Sequence, residues 1–214
     1  MDKPKKQRTR LNPEARKSMI MDHAAMLITD EGVSAVTVER LGISAGISKA
    51  LLYNYFSSIT ELLSQLLDRE YRHLRRKQYD AAQSSETFEE LVQSVTHVYI
   101  SYIKERGLLL ERLAMDPTVT KDSDPTQYSR DGAVMYIAEL VKENFDIDIE
   151  TARTIVDISY GIPAAAGRFL IHNEADPEKI EKITSMMILG SLEAVKNNYR
   201  TSLKPLRKPD PRGS

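Results

Sequence analysis

An all-α fold is the expectation for this chain of 214 residues, and three observations carry it. Apolar residues recur at three- and four-residue intervals, as in Ile20, Ala24, Leu27 and Ile28, which places them on one face of a helix. Helix-start signals stand ahead of such runs: Asn12-Pro13, Thr37, Ser58-Ile59-Thr60-Glu61, Thr87-Phe88-Glu89-Glu90 and Asp176-Pro177. Finally, Thr37 to Phe56 divides into two short helices about a turn containing Gly46.

In chain order, residues 1–12 hold Lys3, Lys5, Lys6, Arg8 and Arg10 with almost nothing apolar, and a disordered basic arm is expected. Asn12 and Pro13 open a first helix that Gly32 ends. After the paired short helices, the box at Ser58–Glu61 starts a long helix with Leu62, Leu63, Leu66, Leu67, Tyr71 and Leu74 inward. Its Arg69, Arg72, Arg75, Arg76 and Lys77 read as a solvated face. Another helix is expected from Thr87 to about Arg106, broken by Gly107. A short piece from Leu108 to Met115 follows, then a loop over residues 117–125 and a helix from Gln127 to about Asn144. Two long helices close the chain, Ile149 to His172 with a kink at Pro163, and Asp176 to about Tyr199. Residues 201–214, with three prolines and several bases, read as a disordered tail.

The charge is uneven. Residues 1–56 carry nine Lys/Arg against six Asp/Glu, and the rest 21 against 25, so a basic end of +3 sits on an acidic body of −4. Such a division suits a protein that meets nucleic acid at one end, and also arises by chance in solvated helical proteins. There is no cysteine, which excludes disulfides, thiolate metal sites and thiol catalysis. No signal peptide and no bilayer-spanning run stands out, so a cytoplasmic protein with no membrane partner is expected.

Within Thr37–Phe56, Val38, Leu41 and Ala45 share a face, Gly46 suits the left-handed end of a helix, and Ser48 caps a second helix weighted by Leu52, Tyr53 and Phe56. Helix, glycine turn and helix make a helix-turn-helix, whose second helix enters the DNA major groove. Lys49, Leu51 and Asn54 are the expected base-facing residues, and Thr37, Ser48, Tyr53 and Tyr55 the phosphate contacts. Leu51 either meets a thymine methyl or packs inward. Lys5, Lys6, Arg8 and Arg10 would add contacts if the arm lies on DNA, rather than serving as a solubilising tail. The competing reading of the motif is an ordinary helical hairpin with two packing tyrosines.

The flanks separate those readings. Ile20, Ala24, Ala25, Leu27, Ile28, Glu31 and Gly32 before the motif, A-G-I-S at 45–48, L-Y-N-Y-F at 52–56, and Ser58, Glu61, Leu62 and Leu63 after it resemble the N-terminal domain of the TetR family of bacterial regulators. The resemblance covers roughly residues 14–67. It implies a three-helix DNA-binding domain at 13–57, followed at 58–200 by a helical domain that binds a small effector and dimerises through the last two helices. Four positions depart from the pattern. Gly42 stands where Ala is usual, at a helix-propensity cost of about 1 kcal/mol. Ala50 and Leu51 replace a Gly and a small residue, and Ile59 replaces a lysine that touches phosphate in the family.

No catalytic constellation emerges. His23, His73, His97 and His172 are scattered without metal-ligand spacing, and no phosphate loop or nucleophile elbow is present, so no enzyme, cofactor or metal is expected. The acidic residues read as surface charge. Tyr99, Tyr102, Arg112, Met115, Tyr136, Tyr160 and Arg168 suit the lining of a largely apolar effector site, with Arg112 or Arg168 as carboxylate partner; each equally suits core packing. Gly161, Ala164, Ala165, Ala166 and Gly167 admit a close neighbouring helix, from a second copy or from the same chain, and Ile180, Ile183, Met187 and Ala194 form the matching face. The expected function is that of a homodimeric regulator on a palindromic operator, released by its effector. The alternatives are an activator or partner-controlled regulator with the same head, and more remotely a helical carrier or enzyme.

Overall fold

The computed structural model describes residues 12–120 and 127–196, so the basic arm with Lys5, Lys6, Arg8 and Arg10, and the tail at 201–214, lie outside the described residues. Among these the chain is helical without a strand: α1 (Pro13–Glu31), a single 3-10 turn (Val33–Ala35), α2 (Val38–Ala45), α3 (Lys49–Tyr53), α4 (Ile59–Gln83), α5 (Phe88–Ala114), α6 (Pro117–Thr120), α7 (Gln127–Phe145), α8 (Ile149–Ser159), α9 (Gly161–His172) and α10 (Pro177–Lys196).

The starts follow from capping chemistry. Asn12 accepts the Ala15 N–H at 2.7 Å, and Asp148 accepts that of Thr151 at 2.9 Å. At Thr87 the full box forms, with the Glu90 carboxylate reaching back to the Thr87 N–H. At α4 it forms differently. Ser58 accepts the Glu61 N–H, but the Glu61 carboxylate reaches one residue further, to the backbone and hydroxyl of Ser57.

Three expected boundaries move. α5 does not stop at Gly107 but runs through to Ala114, absorbing the piece that starts at Leu108. Gly107 is there for space, since a Cβ would stand 2.9 Å from Ile171 of α9. The loop expected after Asp116 begins with the helical turn Pro117–Thr120. The helix expected over 149–172 is two, parted at Tyr160. Pro163 falls in the first turn of α9, where its missing N–H is no loss, whereas a continuous helix would press its ring on the Ser159 carbonyl.

Among the described residues two apolar cores result. The first joins α1, α2, α3, α4 and α5 around Ile20, Ala24, Ile28, Leu41, Leu52, Phe56, Leu62, Leu66 and Leu113. The second gathers Val134, Ala138, Val141, Ala152, Val156 and Leu192 from α7, α8 and α10. The long α5 is the common member, packed on α4 on one side and on α9 and α10 on another.

Candidate nucleic-acid interface

The smallest helices carry the outer surface of the N-terminal end. Thr37 caps α2 by accepting the Arg40 N–H at 3.2 Å. α2 ends on Gly46 at φ 63°, ψ 38°, a conformation that a Cβ disfavours, with the Ile47 N–H returning to the Gly42 carbonyl at 3.0 Å. Gly42 has its own reason to be glycine, because a Cβ would sit 3.1 Å from the Ile47 carbonyl oxygen. The helix-propensity cost therefore accompanies a tight turn.

Ser48 then caps α3 through the Leu51 N–H at 3.2 Å. Leu52 and Phe56 are each 2% exposed and seat this segment in the first core, so its opposite side must face outward. That side presents Ser48, Lys49, Tyr53 and Asn54, all exposed. The Lys49 ammonium lies 5.9 Å from the Tyr53 ring centroid, a cation–π arrangement. Thr37 is exposed on the same motif, while Leu51 is half-buried and Tyr55 is half-buried against the core. The hydroxyls of Thr37 and Ser48 each accept one backbone N–H and keep a proton to donate. Ile59, in the place of the family's lysine, packs against the first core.

Side chains fasten α2 to α1. His23 Nδ1 meets the Ser44 hydroxyl at 2.9 Å. Arg40 grips Glu31 with both guanidinium nitrogens, and that hydrogen bond holds the Glu31 carboxyl below its ordinary range. A shallow groove of about 240 Å³ between α2 and α3 is lined by Val38, Glu39, Gly42, Ile43, Ile47 and Lys49. Ile43 stands 83% exposed there, a feature that the core-face pattern of α2 did not flag.

Of the residues expected to line an effector site, three come together. Tyr160 at the α8–α9 break and Arg168 of α9, with Tyr71 of α4, lie near enough to the Tyr99 phenol of α5 to act on it electrostatically. The Tyr99 phenol is pushed up to about 12 by burial first and by Tyr71 next, against the pull of Arg168. Gly167 makes room for it, since a Cβ would come within 2.8 Å of the Tyr99 hydroxyl. The other four lie elsewhere. Tyr102 is buried and donates to Glu70 Oε2 at 2.8 Å. Arg112 donates to the Ile28 and Thr29 carbonyls at the end of α1, where a cation suits the helix terminus. Met115 is 76% exposed at the end of α5, and the Tyr136 hydroxyl accepts from Gln83 at 2.9 Å. A separate cleft of about 340 Å³, lined by Ile103, Lys104, Leu108, Leu170, Ile171 and Pro177 among others, contains none of the seven.

Two charged residues assigned to solvent-facing surface are in fact inside. Glu70 is 1% exposed and Arg69 retains 15% side-chain exposure, joined at 2.9 Å. Arg72, Arg76 and Lys77 are exposed as expected. Among the described residues no group of His, Cys, Asp and Glu is arranged to hold a metal, and no helix is long and apolar enough to cross a membrane.

Comparison with known proteins matches this geometry. Residues 20–66 match the model of the bacterial regulatory proteins, tetR family. Over 172 residues the chain is 20% identical to the HTH-type transcriptional activator FasR of Mycolicibacterium smegmatis, covering 79% of this chain and 78% of that protein. A transcriptional regulator described from Pseudomonas aeruginosa PAO1 has the same fold, with a TM-score of 0.73 at 11% identity over 91% of this chain and 99% of that one. So does the fatty acid degradation regulator FadR of Bacillus halodurans, with a TM-score of 0.69 at 16% identity over 85% of this chain and 97% of that one. The helix-turn-helix at residues 37–56 lies inside the matched segment, so the N-terminal end of the chain carries the domain of the tetR family of bacterial regulatory proteins.

Proposed function

We propose that this regulator works in the cytoplasm as a homodimeric repressor that leaves its operator when a small, largely apolar effector enters the body. The observation that carries the DNA part is the polar row Ser48, Lys49, Tyr53 and Asn54 on a segment whose other side is locked by Leu52 and Phe56. Rigid seating of this kind lets hydrogen-bonding groups read a groove without first being ordered. Lys49, Leu51 and Asn54 would meet bases, and Thr37, Ser48, Tyr53 and Tyr55 phosphates, with Lys5, Lys6, Arg8 and Arg10 of the arm adding electrostatic contacts. Residues 13–57 act as the DNA-binding head and 58–200 as the effector and dimer body.

The body supports both of its roles. Ile158, Phe169, Ile183, Met186, Met187 and Val195 leave an apolar face on α8, α9 and α10 uncovered. A second copy of the same face would bury it and set two recognition helices on a two-fold site. Gly161 and Gly190 have open space over them, while Gly167 is used within the chain against Tyr99. For the effector, the Tyr71, Tyr99 and Tyr160 cluster supplies an apolar wall with hydroxyl anchors, and Arg168 supplies a cation for a carboxylate. A chain-like acid fits this chemistry, and the similarity to a fatty acid degradation regulator points the same way.

Activation is the second reading, favoured by the likeness to the activator FasR; the same head and dimer would serve it. Selection of randomised duplexes by the full-length protein tests the proposal. An enriched inverted repeat supports the dimeric reader, and absence of any enrichment at low salt refutes it. In the same assay Tyr53→Phe should weaken all duplexes alike, whereas Asn54→Ala should change preference at particular base pairs. Reporter expression in a deletion strain separates repression from activation.

A further inference from the structure

Helix α2 has three faces, and two of them are taken up within the chain. Leu41 points into the first core with no exposure. Arg40 and Ser44 turn to α1, where Arg40 grips Glu31 and Ser44 meets His23. The third face carries Glu39 and Ile43, which stand one helical turn apart. Both are exposed, and both line the groove that α2 shares with Ile47 and with Lys49 at the start of α3. Lys49 belongs to the outward polar row, so this face of α2 opens on the same side as the residues placed on DNA.

A carboxylate is the wrong group for a surface that meets only phosphates. Among the described residues Glu39 makes no ion pair and no side-chain hydrogen bond. The Lys49 ammonium across the groove lies over the Tyr53 ring, 5.9 Å from its centroid. Val38, Gly42, Ile43 and Ile47 line the rest of the groove and bring no cation. Glu39 does stand in the first turn of α2, where the helix N-terminus favours an acid. A phosphate on this face would be repelled by Glu39 and would find no donor on Ile43. A base edge suits it. Cytosine presents an amino hydrogen in the major groove, and an ionised carboxylate can only accept. Guanine presents two acceptors there, which an ammonium can meet. Acceptor and donor on opposite sides of one groove thus complement cytosine and guanine. Ile43, 83% exposed, also gains by being covered with a base and not with a phosphate.

We infer that Glu39 is a specificity-determining residue, accepting the amino hydrogen of one cytosine in each half-site while Lys49 meets a guanine beside it. The role rests on the operator reading proposed for the helix-turn-helix. It gives α2 a base to read, where Thr37 alone had been placed on DNA, and on phosphate. Glu39 carries no sequence signal of this kind, because an acid in the first turn of a helix is ordinary capping chemistry. Its place in the groove opposite Lys49 is what singles it out.

The test compares full-length wild type, Glu39→Gln and Glu39→Ala, first in selection from randomised duplexes and then on every single-base-pair change of the selected duplex. Wild type should require cytosine at one position of each half-site. Glu39→Ala should lower the preference for that cytosine by about tenfold and leave the other positions as they were. Glu39→Gln should turn the same position towards adenine, whose N6 and N7 suit a carboxamide. Both variants replace an exposed side chain, and the second keeps its size, so a change confined to one base pair is not one of folding. A uniform gain in affinity on all duplexes would mean a carboxylate that merely repels phosphate, and overturns the inference. A profile that neither variant alters overturns it too, and leaves the groove to a protein partner or to solvent. If wild type enriches a duplex while the variant profiles are unchanged, Glu39 alone loses its role. If wild type enriches none, the operator reading falls together with it.

Discussion

The two ends of this molecule bury their apolar residues very differently. Around α1–α5, Ile20, Ile28, Leu41, Leu62 and Leu66 have no exposure, and Phe56 is nearly as enclosed. Across α8–α10, Val156 and Leu192 are enclosed, but Ile158, Phe169, Met186 and Met187 are exposed by about half or more. One region has finished its core within a single chain. The other has an apolar surface large side chains would not leave to water unless a further surface covers it. The contrast is what the proposed dimer requires, since the first core is enclosed within one chain while the last helices leave apolar side chains for a second copy to cover.

Two phenylalanines can break that comparison. Phe56→Ala should cost about 3–5 kcal/mol in urea denaturation, independent of protein concentration, because a fully buried aromatic leaves a cavity. Phe169→Ala, at 49% exposure, should change the unfolding of the isolated chain little and instead weaken self-association. Equal losses would erase the distinction between the regions. Next in size is the double variant Ile183→Glu with Met187→Glu. It should turn a dimer into a monomer in sedimentation velocity and reduce duplex affinity by about a hundredfold, the scale on which linked binding exceeds single binding. A monomeric wild type, or a variant that still dimerises, would move the seam elsewhere.

The smallest expected effect lies at the start of α4. The Glu61 carboxyl is held below its ordinary range by the Ser57 hydroxyl first and the Ser57 N–H next, against a smaller opposing effect of burial. Its contribution is therefore present above the ordinary glutamate pKa and is lost as pH falls through the lowered value. Glu61→Gln should be slightly less stable than wild type at neutral pH, and the two melting temperatures should converge in acid. A difference that persists in acid would assign the effect to packing.

Much of the architecture could be read from local chemistry. Asn12, Thr37, Ser48, Ser58 and Thr87 cap helices, Gly32 and Gly46 end them, and the residues expected inside α1 and α4 are buried except Leu27 and Tyr71, which are half-buried. Gly107 was misread for a definite reason. Glycine breaks helices by local entropy, but here it is retained by the approach of Ile171, sixty-odd residues away. Arg69 was misread in the same way, because one cation among five on a helix looks like solvated charge until Asp22 and Glu70 are found beside it.

The candidate sites divide along that line. Caps, turns and the outward polar row of the helix-turn-helix depend on groups within a few residues of one another, and so the sequence by itself determined that motif. Which of the tyrosines and arginines of the body meet was decided only by tertiary structure. Tyr99 faces Gly167 and Arg168, Tyr102 turns to Glu70, Arg112 closes the end of α1, and Tyr136 pairs with Gln83. The difference is physical. Backbone hydrogen bonding and side-chain period act over one or two turns, whereas contacts between helices depend on their register and crossing, to which every packed side chain contributes.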